Sequence, residues 1–145
     1  MSTSVSRSAR VSWSGTVTEG GGEIALGSGA FTGPFTLKAR VEDVDRGTNP
    51  EEMIAAASAG CFTMSLASML EEEGTPATDI KTTARVRLEQ RDEGFRITRI
   101  TLTTEGQVPG VDGEHFVELA EQAKATCPVS LALSGTEILL EATLA

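Results

Sequence analysis

The sequence predicts an α+β protein, and three observations carry that expectation. Short runs that alternate between apolar and polar residues recur along the chain, the period of a half-buried strand. Two other segments carry helix start and stop residues. The runs follow the order three strands, helix, two strands, helix, strand, which suits antiparallel strands with separate helices. With 145 residues the chain is long enough for one well-cored domain. Residues 1–8, rich in Ser, read as a flexible tail, and residues 9–145 as a single domain.

Ala9, Val11, Trp13 and Val17 give the first strand. Gly20, Gly21 and Gly22 form a turn, and Ile24 to Leu26 returns as its partner. Phe35, Leu37, Ala39 and Val41 alternate with Thr36, Lys38, Arg40 and Glu42, which predicts a third strand with one polar face. Asn49 followed by Pro50 and Glu52 has the form of a capped helix start, and Gly74 stops the helix near Glu73. Its middle, Ala55 to Gly60, is small on all sides. Gly60 costs about 1 kcal/mol relative to Ala inside a helix, so close approach of a neighbour is the expected compensation. One small sheet covers one side of such a helix, and a second copy of the chain is the natural cover for the rest.

Thr82 to Gln90 and Phe95 to Glu105 read as a hairpin, with a bulge where the apolar phase slips between Ile97 and Ile100. Glu114 to Ala125 is a second helix. Thr126-Cys127-Pro128 interrupts it, a helical turn follows to Leu133, and Glu137 to Leu144 is the last strand.

Composition excludes several partners. Twelve Lys and Arg against 21 Asp and Glu leave a net charge of −9, which repels nucleic acid and anionic membrane surfaces. Aromatic residues are only 4%, too few for a base-stacking surface. Met53 to Leu70 carries no charge, yet it is rich in Ala, Ser and Thr and acidic at both ends, so a buried helix fits better than a membrane span. No apolar export segment opens the chain, and a cytoplasmic location is expected.

Chemistry rests on few residues. There is no phosphate-binding Gly loop, and two cysteines with a single histidine, His115, do not form a metal-ligand spacing. His115 reads as a surface helix residue rather than part of a triad. Cys61 and Cys127 are either small core residues or a redox pair. Cys61 lies about three turns into its helix, beyond reach of the helix dipole, and needs a cation to become a thiolate. Arg40 is the natural candidate. Cys127 precedes a helical turn whose N–H groups favour a thiolate there. Local physics leaves open which thiol reacts first. Glu51 reads most simply as a first-turn acid.

The segment "GTNPEEMIAAASAGCFTMSLASML", joined to the distant "KATCPVSLAL", resembles the osmotically inducible protein C (OsmC) and organic hydroperoxide resistance (Ohr) family, on the OsmC branch. "WSGTVTEGGGEI" and "GTEILLEATLA" extend the resemblance from Ala9 to Ala145. It implies an intertwined α+β homodimer with antiparallel sheets around a long central helix. It implies a cysteine-based peroxidase acting on organic and fatty-acid hydroperoxides. Cys61 is then peroxidatic, Cys127 resolves it as a disulfide, and Arg40 and Glu51 match the family's arginine and glutamate. No bound cofactor is implied; an external dithiol, such as dihydrolipoamide or a lipoylated protein, serves as reductant. Phe31, Phe35, Phe62 and Met64 are candidates to receive a hydrocarbon tail. Many OsmC proteins carry His where this chain has Ser58. A redox sensor that oxidises once and a non-catalytic stress binding protein are the rival readings.

Overall fold

In a computed structural model, which describes residues 3–42 and 46–145, the chain divides into two compact units, Met1–Pro50 and Glu51–Ala145. Met1 and Ser2 of the expected tail lie outside the described residues.

The N-terminal unit is a three-stranded antiparallel sheet, β1 (Ala9–Ser14), β2 (Gly21–Leu26) and β3 (Thr32–Phe35), in that order. Trp13 and Phe35 meet edge to face across it, ring centroids 5.2 Å apart. The expected third strand over Phe35 to Val41 is corrected. The strand stops at Phe35, and Leu37–Val41 forms a short helix, α1. Thr36 is the cause: its hydroxyl accepts the Ala39 N–H at 3.0 Å and caps the helix. Alternation over so few residues is shared by a strand and a single helical turn with one buried side. Behind α1 the chain is tied back by Thr48 N–H to the Pro34 carbonyl (2.8 Å) and by Asn49 Nδ2 to the Ala39 carbonyl (3.1 Å). Gly47 makes this path possible. Its φ is +90°, and a Cβ there would lie 2.9 Å from the Pro34 oxygen.

Helix α2 spans Pro50–Glu72. It ends in a Schellman turn: Gly74, at φ +80°, donates to Glu71 and Thr75 donates to Leu70. Phe62, Leu66 and Leu70 recur every fourth residue and are fully buried. By length and composition α2 could cross a membrane, with a mean hydropathy of 1.6, but its Phe–Leu face is sunk in the core of this unit.

Strands β4 (Asp79–Arg91) and β5 (Gly94–Gln107) form a long hairpin. The bulge falls where the pattern slipped: Arg87 faces Arg99 while Leu88 faces Ile97, which leaves Thr98 as the extra residue. Helices α3 (Gly113–Thr126) and α4 (Pro128–Ala132) follow, then β6 (Glu137–Leu144). The last strand differs from the antiparallel arrangement expected. It pairs with β5 in parallel, giving the order β4-β5-β6. A parallel neighbour needs a long crossover, and α3 and α4 supply it. Phe116, Leu119, Ala120 and Ala123 of α3 close the core over α2 and Leu102 of β5. A hydroxyl chain runs beside it, from Thr63 to Thr82 (2.7 Å) to Thr104 (2.9 Å), linking α2 to both hairpin strands.

Candidate functional site

Cys61 sits on α2 one residue before Phe62, at the edge of the buried face, and is itself partly buried. Cys127 occupies the corner between α3 and α4. Its N–H closes α3 on Ala123 and its carbonyl opens α4 by accepting from Leu131, both at 3.0 Å. Pro128 takes the first position of α4, where its missing N–H costs nothing. The Cys127 side chain is 1% exposed.

These two cysteines, far apart in sequence, meet. Both thiols are free, and they lie within hydrogen-bonding reach of each other. The Cys127 thiol also donates to Ser130 Oγ at 3.0 Å. Burial pushes the Cys61 thiol above the ordinary value of 9.0. The Val129 N–H, which bonds to its sulfur, pulls it back, while the hydrogen bond to Cys127 and a negative charge there push it up again. The first turn of α4 therefore offers its N–H to Cys61, where local sequence pointed to Cys127. A tertiary contact made that choice. Two adjacent thiols of this kind can cycle between dithiol and disulfide.

Two further expected site residues, Arg40 and Glu51, fall in different units. Glu51 is buried in the first turn of α2, about 15 Å along the helix axis from Cys61, too far to touch the sulfur. Arg40 lies on the exposed side of α1 in the N-terminal unit. There it lines a cavity of about 240 Å³ with Trp13, Val17, Phe35, Thr36 and Leu37. Of the four residues expected to receive a hydrocarbon tail, only Phe35 lines this cavity. Phe62 is core, and Phe31 and Met64 are exposed. Trp13 and Leu37 were not singled out for it, although the only Trp of the chain on an alternating strand was an available signal.

Ser58 is fully buried one turn before Cys61, and among the described residues its hydroxyl has no hydrogen-bond partner. His115, at the start of α3, bonds Glu73 through Nε2 and Glu118 through Nδ1. Glu73 first, then Glu118, raises its pKa above 6.5. Among the described residues no group of three His, Cys, Asp or Glu could hold a metal ion.

The profile of the family described as OsmC-like protein matches residues 43–141. The chain is 45% identical over 130 residues to "Peroxiredoxin OsmC" of Escherichia coli strain K12, covering 89% of this chain and 90% of that protein. It is 32% identical over 98 residues to "Organic hydroperoxide resistance protein OhrA" of Bacillus subtilis strain 168, covering 66% of this chain and 67% of the other. Among solved structures, the organic hydroperoxide resistance protein OhrB of Bacillus subtilis superposes with a TM-score of 0.69 at 26% identity, over 95% of this chain and 98% of that one.

Proposed function

The chain belongs to the OsmC-like family, and from that membership we propose that it is a thiol-dependent peroxidase that reduces organic hydroperoxides in the cytoplasm. The names of its relatives, a peroxiredoxin and organic hydroperoxide resistance proteins, support the peroxidase role and the substrate class. The observation that carries the mechanism is the meeting of two free thiols from α2 and the α3–α4 corner.

Cys61 is the nucleophile. Its thiolate attacks the terminal peroxide oxygen, the O–O bond breaks, the alcohol leaves, and the sulfur becomes a sulfenic acid. Cys127 then displaces water to form the Cys61–Cys127 disulfide, and an external dithiol such as dihydrolipoamide or a lipoylated protein reduces it. Because burial holds the Cys61 thiol up, a cation must offset it. Arg40 is that cation and donates to the peroxide oxygens, and Glu51 holds its planar guanidinium. The apolar cavity beside Arg40 takes the hydrocarbon part of the substrate. The active unit is a homodimer.

The deciding experiment is steady-state peroxide consumption with a dithiol, comparing hydrogen peroxide, an alkyl hydroperoxide and a lipid hydroperoxide. The expected result is many turnovers, faster with the organic substrates. Oxidation that stops after one equivalent makes the protein a sensor. No oxidation of either thiol leaves a binding protein.

A further inference from the structure

A helix-opening side chain normally turns back to accept an N–H of its own first turn. Cys127 opens α4 without such a bond. Its sulfur donates instead to Ser130 Oγ, and the Val129 N–H goes to Cys61. The bond is buried at both ends, Cys127 at 1% and Ser130 at 6% exposed, so water does not compete for it. It also fixes direction. With the Cys127 hydrogen committed to Ser130, the sulfur turns a lone pair toward Cys61.

We propose that Ser130 is a positioning residue for disulfide closure, holding the Cys127 thiol so that its lone pair faces the Cys61 sulfur. The step it serves rests on the peroxidase reading above. The Cys127 sulfur attacks the Cys61 sulfenic sulfur, the S–S bond forms and the S–O bond breaks. The thiol hydrogen, first held by Ser130 Oγ, ends on the departing oxygen as water, and Ser130 is unchanged. Cys61 sulfur is reduced and Cys127 sulfur oxidised. Ser130 takes no part in the attack of Cys61 on peroxide, which needs only the Cys61 thiolate.

The test separates the two steps in a single turnover of the reduced protein with one equivalent of an alkyl hydroperoxide. Peroxide loss reads the first step. Labelling by a dimedone-type probe and mass spectrometry of the disulfide read the second. Ser130→Ala is expected to leave peroxide loss unchanged and to slow closure about tenfold, the scale of one lost buried hydrogen bond. Sulfenic acid then accumulates, and excess peroxide drives it to sulfinic acid. Ser130→Thr, which keeps the hydroxyl, is expected to restore closure. Closure as fast in Ser130→Ala as in the unaltered protein overturns the inference. So does an equal fall in both steps, which marks a packing defect, and so does a Thr variant as slow as the Ala one. An unaltered protein that consumes no peroxide overturns the peroxidase reading and this inference together.

Discussion

Cys61 carries a conflict that a single substitution can expose. Burial raises its pKa, while its proposed role needs a thiolate near neutral pH. Arg40→Ala is expected to slow the first step about 10²–10³-fold at pH 7. It is also expected to move the pH profile upward: with only burial, the Val129 N–H and Cys127 acting, the rate climbs with the thiolate fraction beyond pH 9.0. Glu51→Ala is expected to be milder, since the guanidinium is then misplaced rather than absent. An Arg40→Ala protein with an unshifted profile removes Arg40 from the mechanism. The cysteines are expected to be unequal. Cys61→Ser abolishes reaction, and Cys127→Ser consumes about one peroxide per subunit and stalls as sulfenic acid, as mass spectrometry will read.

His115 offers a second single-residue test, because it is the only histidine in the chain. Its raised pKa means that the protonated ring favours the fold. That contribution is complete below pH 6.5, the unfolded value, and is lost as pH rises through the higher folded value. An NMR titration is expected to find the midpoint above 6.5, and Glu73→Gln is expected to bring it back toward that value.

At the scale of elements, β5 shows how local pattern and packing agree. Ile100, Leu102, Thr104 and Gly106 alternate inward, and Gly106 leaves room for the Phe116 ring of α3. A Cβ at Gly106 would lie 2.7 Å from that ring. Gly106→Ala is therefore expected to lower stability by about 1–3 kcal/mol, read as a lower urea midpoint. Strands β1, β2, β4, β5 and β6, both long helices and the Thr98 bulge were legible because each is a periodicity or a break in one, whereas β3 was not read as a strand. Helix α1 was not, because Thr36 decides it with one hydrogen bond that alternation does not reveal. The direction of β6 was hidden for a different reason: its pattern fixes which face is buried and says nothing about the neighbour's direction. The site divided in the same way. The pairing of Cys61 with Cys127 came from the resemblance alone, and the Val129 N–H contact to Cys61 is tertiary and left no local trace, whereas the Cys127–Ser130 contact is local, three residues apart.

For the whole molecule, the largest open account is α2. Only 22% of its apolar stretch is buried within the chain, Met64 is 75% exposed, and among the described residues nothing beyond Gly60's neighbours and the helix's own backbone stands within 4 Å of where a Gly60 side chain would begin. A partner copy is expected to cover this face. Light scattering is expected to give twice the 15.2 kDa chain mass, and Gly60→Leu, which puts bulk on the bare face, is expected to shift that mass toward the monomer. A wild-type monomer with full activity sinks the dimer.

The parallel pairing of β6 also has a consequence in time. The β4–β5 hairpin closes across a tight turn between Arg91 and Gly94, a contact local in sequence and fast to form. β6 can dock only after the chain from Val108 to Thr136 has folded across, and Cys127 travels on that stretch. The two thiols are thus expected to become neighbours late in folding, since their contact is far longer-range in sequence than the hairpin's. A chain that meets peroxide before that event presents two unrelated cysteines, each open to capture by other thiols. On the proposed mechanism, closure of the disulfide on an oxidised Cys61 is expected to become possible only in the finished fold.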